Sequence, residues 1–201
     1  MNIVCLDLEG VLVPEIWIEF SKKTGLEELK VTTREISDYN KLMDFRIKVL
    51  KENGYKLKDI QNVIATIKPL EGAKDFLSSL REKTQVIILS DTFSEFALPL
   101  MKQLSYPTIF CNSLEVDDQG NITGIMMRQQ NGKFHAVQAL KAMGFKVFSA
   151  GDSYNDLEMI HASDAGVLFR APEKIIKQEQ KLRAVEDYEI FKQEIFKFLN
   201  N

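Results

Sequence analysis

Cysteine is scarce in this 201-residue chain, which has only Cys5 and Cys111, both in apolar runs that predict strands. Because the two do not form a CxxC pair, the sequence indicates buried reduced thiols, not a disulfide scaffold or a metal pair. Histidine is equally rare. His135 and His161 stand 26 positions apart with no companion ligands, so we expect them to have surface or capping roles.

A surplus of basic residues is also missing. Lys and Arg number 26 against 29 for Asp and Glu, a net charge of −3, whereas proteins that bind nucleic-acid phosphates present a basic face. No apolar run approaches the roughly 18 residues that cross a bilayer, and the start Met-Asn-Ile-Val-Cys-Leu-Asp lacks a basic signal-peptide region. We therefore expect a soluble, cytoplasmic protein without nucleic-acid or membrane partners.

Short apolar runs alternate with helical patterns along the chain. Four runs rich in β-branched residues, at 3–6, 85–89, 146–150 and 165–169, predict buried strands. This alternation predicts an α/β fold, a Rossmann-like parallel sheet with helices on both faces. Further predicted elements are a weaker strand at 108–111, a hairpin at 114–127, and helices at 71–81, 93–104, 132–143 and 188–199.

The stretch between the first two predicted strands is too long for a simple crossover. It spans 78 residues, from Leu8 to Gln85, whereas a crossover needs about 12. Helical patterns occur at 15–24, 39–53 and 57–67. We predict that residues 14–69 form an inserted helical cap on a catalytic core of residues 1–13 and 70–201, and that the cap moves about its two connections as substrate enters.

Acidic, amide and hydroxyl side chains follow three of the predicted strands. They are Asp7, Glu9, Ser90, Asp91, Asp152, Asn155 and Asp156. The carboxyl ends of parallel strands line one sheet edge, where ligands bind. Carboxylates held ~4 Å apart repel by several kcal/mol at intermediate dielectric, and a divalent cation relieves that repulsion. Oxygen ligands without His or Cys favour Mg²⁺. Each acid alone is better explained as a helix N-cap. The three strand ends together, with Ser90, favour a shared site.

These residues resemble the motifs of the haloacid dehalogenase-like phosphohydrolases. The family's DxD motif matches Asp7-Leu8-Glu9 with one substitution, its Ser or Thr after a strand matches Ser90, and its GDxxxD motif matches residues 151–156 in full. Within the family the sequence is most similar to the phosphoserine phosphatase branch. The bifunctional phosphoserine phosphatase–homoserine phosphotransferases share the opening Asp-Leu-Glu-Gly-Val-Leu-Val-Pro-Glu-Ile-Trp and the Leu-Ser-Asp-Thr-Phe segment.

The resemblance implies a Mg²⁺-dependent reaction through an aspartyl phosphate. Asp7 is then the nucleophile, and Glu9 is the general acid and later the general base. Asp7, Asp152 and the segment at Glu9 hold the metal ion. Asp156 orients the site or a metal-bound water.

The resemblance also implies how the substrate is bound. Ser90 and the backbone N–H groups around Asp91 bind the phosphoryl group, and Asn155 touches the substrate or its phosphate. In the predicted cap, Arg46 binds the carboxylate of phosphoserine and Glu15 binds its ammonium. Spacing alone favours a structural role for both residues, with Arg46 as a snorkelling side chain and Glu15 as an acid at a helix start. The resemblance is what assigns them to the substrate.

The family also has a lysine that neutralises the phosphate, and three lysines are candidates. These are Lys133, Lys141 and Lys146. We select Lys133 because it stands at the start of a predicted helix, where a cation opposes the helix dipole unless an anion is close.

Glu9 is the main departure from the family pattern. Its extra methylene lengthens the acid–base arm by ~1.3 Å, and the bifunctional enzymes carry the same Glu. We hypothesise that this arm, with Gly10, lets an alcohol such as homoserine compete with water. Trp17, Ile18 and Phe20 are expected to pack the cap and to seal the site against water.

Two alternative functions remain open from the sequence. One keeps the mechanism and changes the substrate to another small phosphomonoester. The other is a receiver-like signalling module, which also has a parallel sheet, an acid cluster and a phosphorylated Asp. The 56-residue cap predicted at 14–69 argues against a receiver. The oligomeric state, monomer or homodimer, is left open.

Overall fold

Strands and helices alternate along residues 1–32, 35–36 and 38–200, the part of the chain that this computed structural model describes. Within it, seven strands form one sheet. They are β1 (Asn2–Leu6), β2 (Gln85–Phe93), β3 (Thr108–Val116), β4 (Ile122–Met126), β5 (Lys146–Gly151), β6 (Ala165–Phe169) and β7 (Arg183–Val185). The spatial order is β4-β3-β2-β1-β5-β6-β7, and only the β3–β4 pair is antiparallel. The predicted α/β fold with a parallel core is confirmed.

Helices fill most of the connections between the strands. The described α-helices are α1 (Ile16–Thr24), α2 (Tyr39–Glu52), α3 (Leu57–Ile64), α4 (Ala73–Arg81), α5 (Ser94–Gln103), α6 (Gly132–Ala142), α7 (Leu157–Ala162), α8 (Glu173–Gln178) and α9 (Tyr188–Leu199). Short 3-10 helices cover Glu27–Lys30 and Tyr154–Asp156. The helices predicted before β2, after β4 and at 188–199 are confirmed to within three residues.

Strand β1 is buried on both faces of the sheet. Side chains alternate along a strand, so Ile3 and Cys5 join the apolar cluster with α6 and α7. Val4 and Leu6 join the opposite cluster, which includes residues of α4 and α9. A strand covered on both sides is apolar at every position, which explains the unbroken hydrophobic run that predicted it.

The strand order reverses at β1, which pairs with β2 on one side and β5 on the other. Leu6 pairs with Ile88 on β2 and with Ala150 on β5. The segments that follow these three parallel strands therefore lie at the same edge of the sheet. In open α/β sheets this is the edge where ligands bind.

Strand β2 continues past the predicted end at 89 through an irregular segment. Leu89 pairs with Phe110 and Phe93 with Asn112, so the register between β2 and β3 shifts between these two pairs. Such bulges redirect side chains and occur next to active sites. The residues that bulge out include Ser90.

Helix α5 contains Pro99 without ending there. A proline has no N–H to donate to the carbonyl four residues earlier, which here is that of Glu95. The side chain of Gln61 on α3 donates to the Glu95 oxygen at 3.0 Å. This bond supplies the missing donor, and the helix continues through Pro99 to Gln103.

The segment that we predict to be a cap contains α1, α2 and α3. Its two ends meet, because the Leu70 N–H donates to the Leu12 carbonyl at 2.9 Å. Aromatic residues connect the segment to α5, with the Trp17 ring edge-on to that of Phe96 at 5.5 Å. The Leu57 N–H also donates to the Gly120 carbonyl in the β3–β4 turn.

Other differences from the predictions lie away from the site. The strand at 108–111 and the first strand of the hairpin are one continuous element, β3. Helix α8 and strand β7 were not predicted. Both cysteines are free, Cys5 buried as predicted and Cys111 only half-buried. Among the described residues, no helix has the length and apolar character needed to cross a membrane.

Candidate active site

Three aspartates converge at the carboxyl ends of β1 and β5. Asp7, Asp152 and Asp156 each offer a carboxylate oxygen, and these oxygens lie within 4.8 Å of one another. Asp7 and Asp156 are buried and Asp152 is partly exposed. The cluster brings together acids that the strand-end pattern predicted to meet.

Two glycines make room for these carboxylates. A Cβ at Gly10 would overlap the Asp152 carboxylate, and a Cβ at Gly151 would overlap that of Asp156. Gly10 also has a φ of +76°, a conformation that side chains disfavour. The glycines at these two positions therefore allow the acids to approach closely.

Lys133 lies in the middle of the acid cluster. Its Nζ is 2.8 Å from Asp7 Oδ1, 2.6 Å from Asp156 Oδ1 and 3.6 Å from Asp91 Oδ2. Burial alone would lower the pKa of Lys133, but the charges of Asp156, Asp7 and Asp91 outweigh it and raise that pKa well above its ordinary value. Lys133 is therefore a fixed cation beside Asp7.

The two other lysine candidates lie elsewhere. Lys141 Nζ pairs with Asp164 at 3.0 Å and donates to the Ala162 carbonyl, and Lys146 is exposed. Both histidines are also exposed, and His161 lies 3.0 Å from Glu179.

The cluster carries more negative charge than Lys133 compensates. Burial, then Asp156, raises the pKa of Asp7 well above its ordinary value. Burial and Asp156 also raise the pKa of Asp152 to about 7. Among the described residues Asp152 has no ion-pair partner. An all-oxygen donor set with uncompensated charge suits a hard divalent cation such as Mg²⁺, with Asp7 and Asp152 the residues free to hold it.

Asp156 is committed to bonds within the protein. Its Oδ2 accepts from the backbone N–H groups of Asp152 and Ser153 and from the Ser153 hydroxyl at 2.9–3.1 Å. Its Oδ1 accepts from Lys133. With both oxygens engaged, Asp156 fixes the segment after β5 and the Lys133 side chain in place.

Glu9 turns its side chain towards helix α1. Its Oε2 accepts from the Ile16 N–H at 2.8 Å, and its carboxylate is not among the three that converge. Burial, then the neighbouring Glu15 carboxyl, raises the pKa of Glu9 to about 8. A carboxyl with this pKa holds its proton at neutral pH and can donate it. Glu15 itself is exposed.

The irregular segment of β2 brings Ser90 and Asp91 to the same edge. Ser90 is buried, and its Oγ accepts from the Thr92 N–H at 3.2 Å. The Asn155 side chain donates to Asp91 Oδ2 at 2.8 Å, which connects the segment after β2 to the one after β5. Ser90, Asp91 and Asn155 thus lie at the edge that carries the acids.

Arg46 approaches the site from helix α2 and is buried among cap residues. Its Nη2 donates to the Val31 carbonyl at 2.9 Å. Burial lowers the pKa of Arg46, and its neighbours Tyr39, Glu9 and Glu15 act in the opposite direction. The guanidinium is therefore within electrostatic reach of the Glu9–Glu15 side of the site.

Sequence reasoning did not select Tyr39 or Asn112, although both contact the site. The Tyr39 hydroxyl donates to the Asp91 carbonyl at 3.3 Å, and the Asn112 amide donates to the same oxygen at 3.1 Å. Tyr39 precedes Arg46 by seven positions, two turns of one helix, and this spacing was a usable signal. The sequence around Asn112 gave no such signal, because the place of its side chain depends on the pairing of β3 with β2.

A model of the haloacid dehalogenase-like hydrolase family matches residues 1–164. The chain belongs to this family. Among its haloacid dehalogenase-like relatives, phosphoserine phosphatase ThrH of Pseudomonas aeruginosa is 54% identical over 98% of this chain and 96% of its own length. A phosphoserine phosphatase of Pseudomonas syringae is 50% identical over 100% of this chain and 84% of its own length.

Solved structures share the fold of this haloacid dehalogenase-like chain. A substrate-bound phosphoserine phosphatase complex superimposes with a TM-score of 0.76 at 22% identity, covering 98% of this chain and 97% of that one. A phospho-aspartyl intermediate analogue of phosphoserine phosphatase gives 0.75 at 22% identity, covering 98% of both chains.

Proposed function

We propose that this hydrolase is a Mg²⁺-dependent phosphoserine phosphatase that also transfers the phosphoryl group to homoserine. The observation that carries the proposal is that a buried Asp–Lys pair and a buried arginine lie on two sides of the same site. The buried Asp7–Lys133 pair suits phosphoryl chemistry, and the buried Arg46 suits a carboxylate. The relative named phosphoserine phosphatase ThrH, 54% identical, supports the same substrate.

In the first step, Asp7 attacks phosphorus in line and the bond from phosphorus to the serine oxygen breaks. Glu9 gives its proton to the departing alkoxide, so serine leaves as a neutral alcohol. The raised pKa of Glu9, about 8, keeps that proton available at neutral pH. The product on the enzyme is an aspartyl phosphate on Asp7.

In the second step, Glu9 is a carboxylate and acts as the base. It takes a proton from water, the water oxygen attacks phosphorus, and the bond to Asp7 breaks. Inorganic phosphate leaves, Asp7 is restored, and Glu9 again holds a proton. When the hydroxyl of homoserine takes the place of water, the same proton transfer gives phosphohomoserine.

Fixed charges stabilise the negative charge of these steps. Lys133 neutralises part of the charge on Asp7 and the phosphoryl oxygens, and the Ser90 hydroxyl and the Asp91 N–H donate to those oxygens. Asp7 and Asp152 would hold Mg²⁺, with Glu9 contributing through its backbone because its carboxylate faces Ile16. When bound, the ion would supply positive charge that offsets the negative charges of the nucleophile and the phosphoryl oxygens.

The amino-acid part of the substrate lies towards the cap, residues 14–69. Arg46 binds the substrate carboxylate, Glu15 binds its ammonium, and Asn155 borders the phosphoryl group. The hydrogen bond between Leu12 and Leu70 supports a cap joined to the core at one place. We propose that the cap opens about this place to admit substrate and release product.

One assay tests the proposal. The protein is incubated with Mg²⁺ and phosphoserine, with and without homoserine, and both phosphate and phosphohomoserine are quantified. We expect phosphate release that requires Mg²⁺, and phosphohomoserine when homoserine is present. Asp7→Asn is the matched control and should release none. Phosphate release without phosphohomoserine would contradict the proposed transfer to homoserine. If no phosphate is released, the proposed phosphatase function is contradicted. A faster reaction with another small phosphomonoester would reassign the substrate.

A further inference from the structure

We infer that Trp17 is a positioning residue that fixes the Arg46 guanidinium in the orientation in which it binds the substrate carboxylate. The inference rests on the proposed function and extends it to a residue that touches Arg46 and not the reacting atoms. Trp17 is the single tryptophan of the sequence. It lies at the second position of helix α1.

The Arg46 guanidinium is held on several sides. Its Cζ lies over the Trp17 ring, 4.6 Å from the ring centroid. Its Nη2 donates to the Val31 carbonyl at 2.9 Å, and its Nη1 lies 3.9 Å from Met43 Sδ. One face and two of the three nitrogens are therefore engaged by the protein.

The third nitrogen, Nε, is buried and has no hydrogen-bond partner in the described part of the chain. Arg46 is 7% exposed. A buried unpaired donor on a charged group is costly, so native structures seldom keep one without a ligand or a structural reason. A substrate carboxylate that accepts from Nε would satisfy this donor, and the guanidinium edge can offer it a second N–H.

Trp17 is itself held in place by aromatic packing. Its ring is edge-on to Phe96 at 5.5 Å, and Phe96 is edge-on to Phe93 at 5.8 Å. Phe93 is the last residue of β2, the strand that carries Ser90. The indole therefore connects Arg46, through Phe96 and Phe93, to the strand that carries Ser90. It fixes the plane of the guanidinium relative to that strand. This arrangement sets the relative positions of the two charged ends of the substrate.

Loss of the indole should weaken carboxylate binding and leave the chemical step intact. A stacked guanidinium in a desolvated site gains enough from an indole face that its removal should raise KM for phosphoserine by roughly 5- to 20-fold. The kcat should stay within about 2-fold, because the carboxylate contact is the same before and in the transition state.

The test compares two esters that differ only in the carboxylate, phosphoserine and phosphoethanolamine. Trp17→Leu should raise KM for phosphoserine as stated and change kcat/KM for phosphoethanolamine by less than about 2-fold. Trp17→Phe, which keeps a smaller aromatic face, should lie between Trp17→Leu and the unsubstituted protein. In an Arg46→Met background, which keeps an apolar side chain and removes the cation, Trp17→Leu should add little, because the group that it positions is gone.

Phe45→Leu is the matched control, since it removes another partly buried aromatic residue from the segment that carries Arg46. It should leave the preference for phosphoserine over phosphoethanolamine unchanged. Equal losses for both esters in Trp17→Leu would mean a structural role only, and no loss would mean no role; either result overturns the inference. If the unsubstituted protein does not hydrolyse phosphoserine, the proposed function is refuted. If it also binds neither ester, the inference is refuted as well.

Discussion

Asp152→Asn should stabilise the metal-free protein while abolishing its response to Mg²⁺. The substitution removes one negative charge from the cluster and keeps the shape of the side chain. Asp152 suits this test because Lys133 pairs with Asp7 and Asp156 in the described structure, and not with Asp152. The perturbation therefore leaves the buried ion pairs in place.

The magnitude follows from the pKa of Asp152. Its rise from 3.8 to about 7 is about 3 pH units, which corresponds to about 4 kcal/mol of destabilisation when the carboxylate is fully ionised. Because Asp152 is partly exposed, solvent screens part of this, and we expect a stabilisation of about 2 kcal/mol in Asp152→Asn.

The pH dependence has a definite sign. Between pH 3.8 and about 7 the folded state holds the Asp152 proton more tightly than the unfolded state, so raising the pH in this window favours unfolding. The stability difference between Asp152→Asn and the unsubstituted protein should therefore be near zero at low pH. It should grow through the window and level off above pH 7.

Urea unfolding in EDTA at several pH values measures this difference directly. Asp118→Asn is the matched control for removal of one carboxylate, because Asp118 is exposed in the β3–β4 turn and its substitution should change the free energy of unfolding little. Added Mg²⁺ should stabilise the unsubstituted protein and not Asp152→Asn. If Asp152→Asn is less stable than the unsubstituted protein in EDTA at pH 8, Asp152 is not destabilising; if it is still stabilised by Mg²⁺, Asp152 does not hold the ion.

Three other substitutions test the roles of Lys133, Tyr39 and Gln61. Lys133→Met should lower kcat/KM for phosphoserine at least about 100-fold in steady-state kinetics. It should also destabilise the fold by about 3 kcal/mol in urea unfolding. Near-normal activity would exclude a role for Lys133 in stabilising the phosphoryl group. Tyr39→Phe should lower kcat/KM for phosphoserine about 3- to 10-fold. The free energy of unfolding should change little, because Asn112 still donates to the Asp91 carbonyl. An unchanged kcat/KM would argue against a functional contact. Gln61→Ala should cost about 1–2 kcal/mol in unfolding free energy with kcat retained, whereas unchanged stability would mean that the Glu95 carbonyl finds another donor.

The sheet was predictable because burial on both faces leaves an unmistakable apolar run, as in β1. Strand β7 has three residues, two of them exposed, so its pattern carries no such signal. The extension of β2 past Leu89 depends on its pairing with β3. The continuity of α5 through Pro99 depends on a side chain of another helix, which local sequence does not encode.

The candidate site was predictable to the extent that topology alone brings residues together. Asp7 and Asp152 follow adjacent parallel strands, so their meeting needs no knowledge of side-chain packing. The stacking of Trp17 on Arg46 depends on how α1 and α2 pack against each other. The direction of the Glu9 side chain depends on the free N–H of Ile16 at the start of α1.

If Asp7 carries the phosphoryl group between donor and acceptor, Asp7 is phosphorylated during turnover. Acid quenching of the protein during turnover of phosphoserine, followed by peptide mass spectrometry, detects this intermediate. We expect a phosphorylated peptide that contains Asp7, sensitive to hydroxylamine as an acyl phosphate is and not formed by Asp7→Asn. Phosphate on a peptide without Asp7, or turnover at a normal rate by Asp7→Asn, would contradict this role of Asp7.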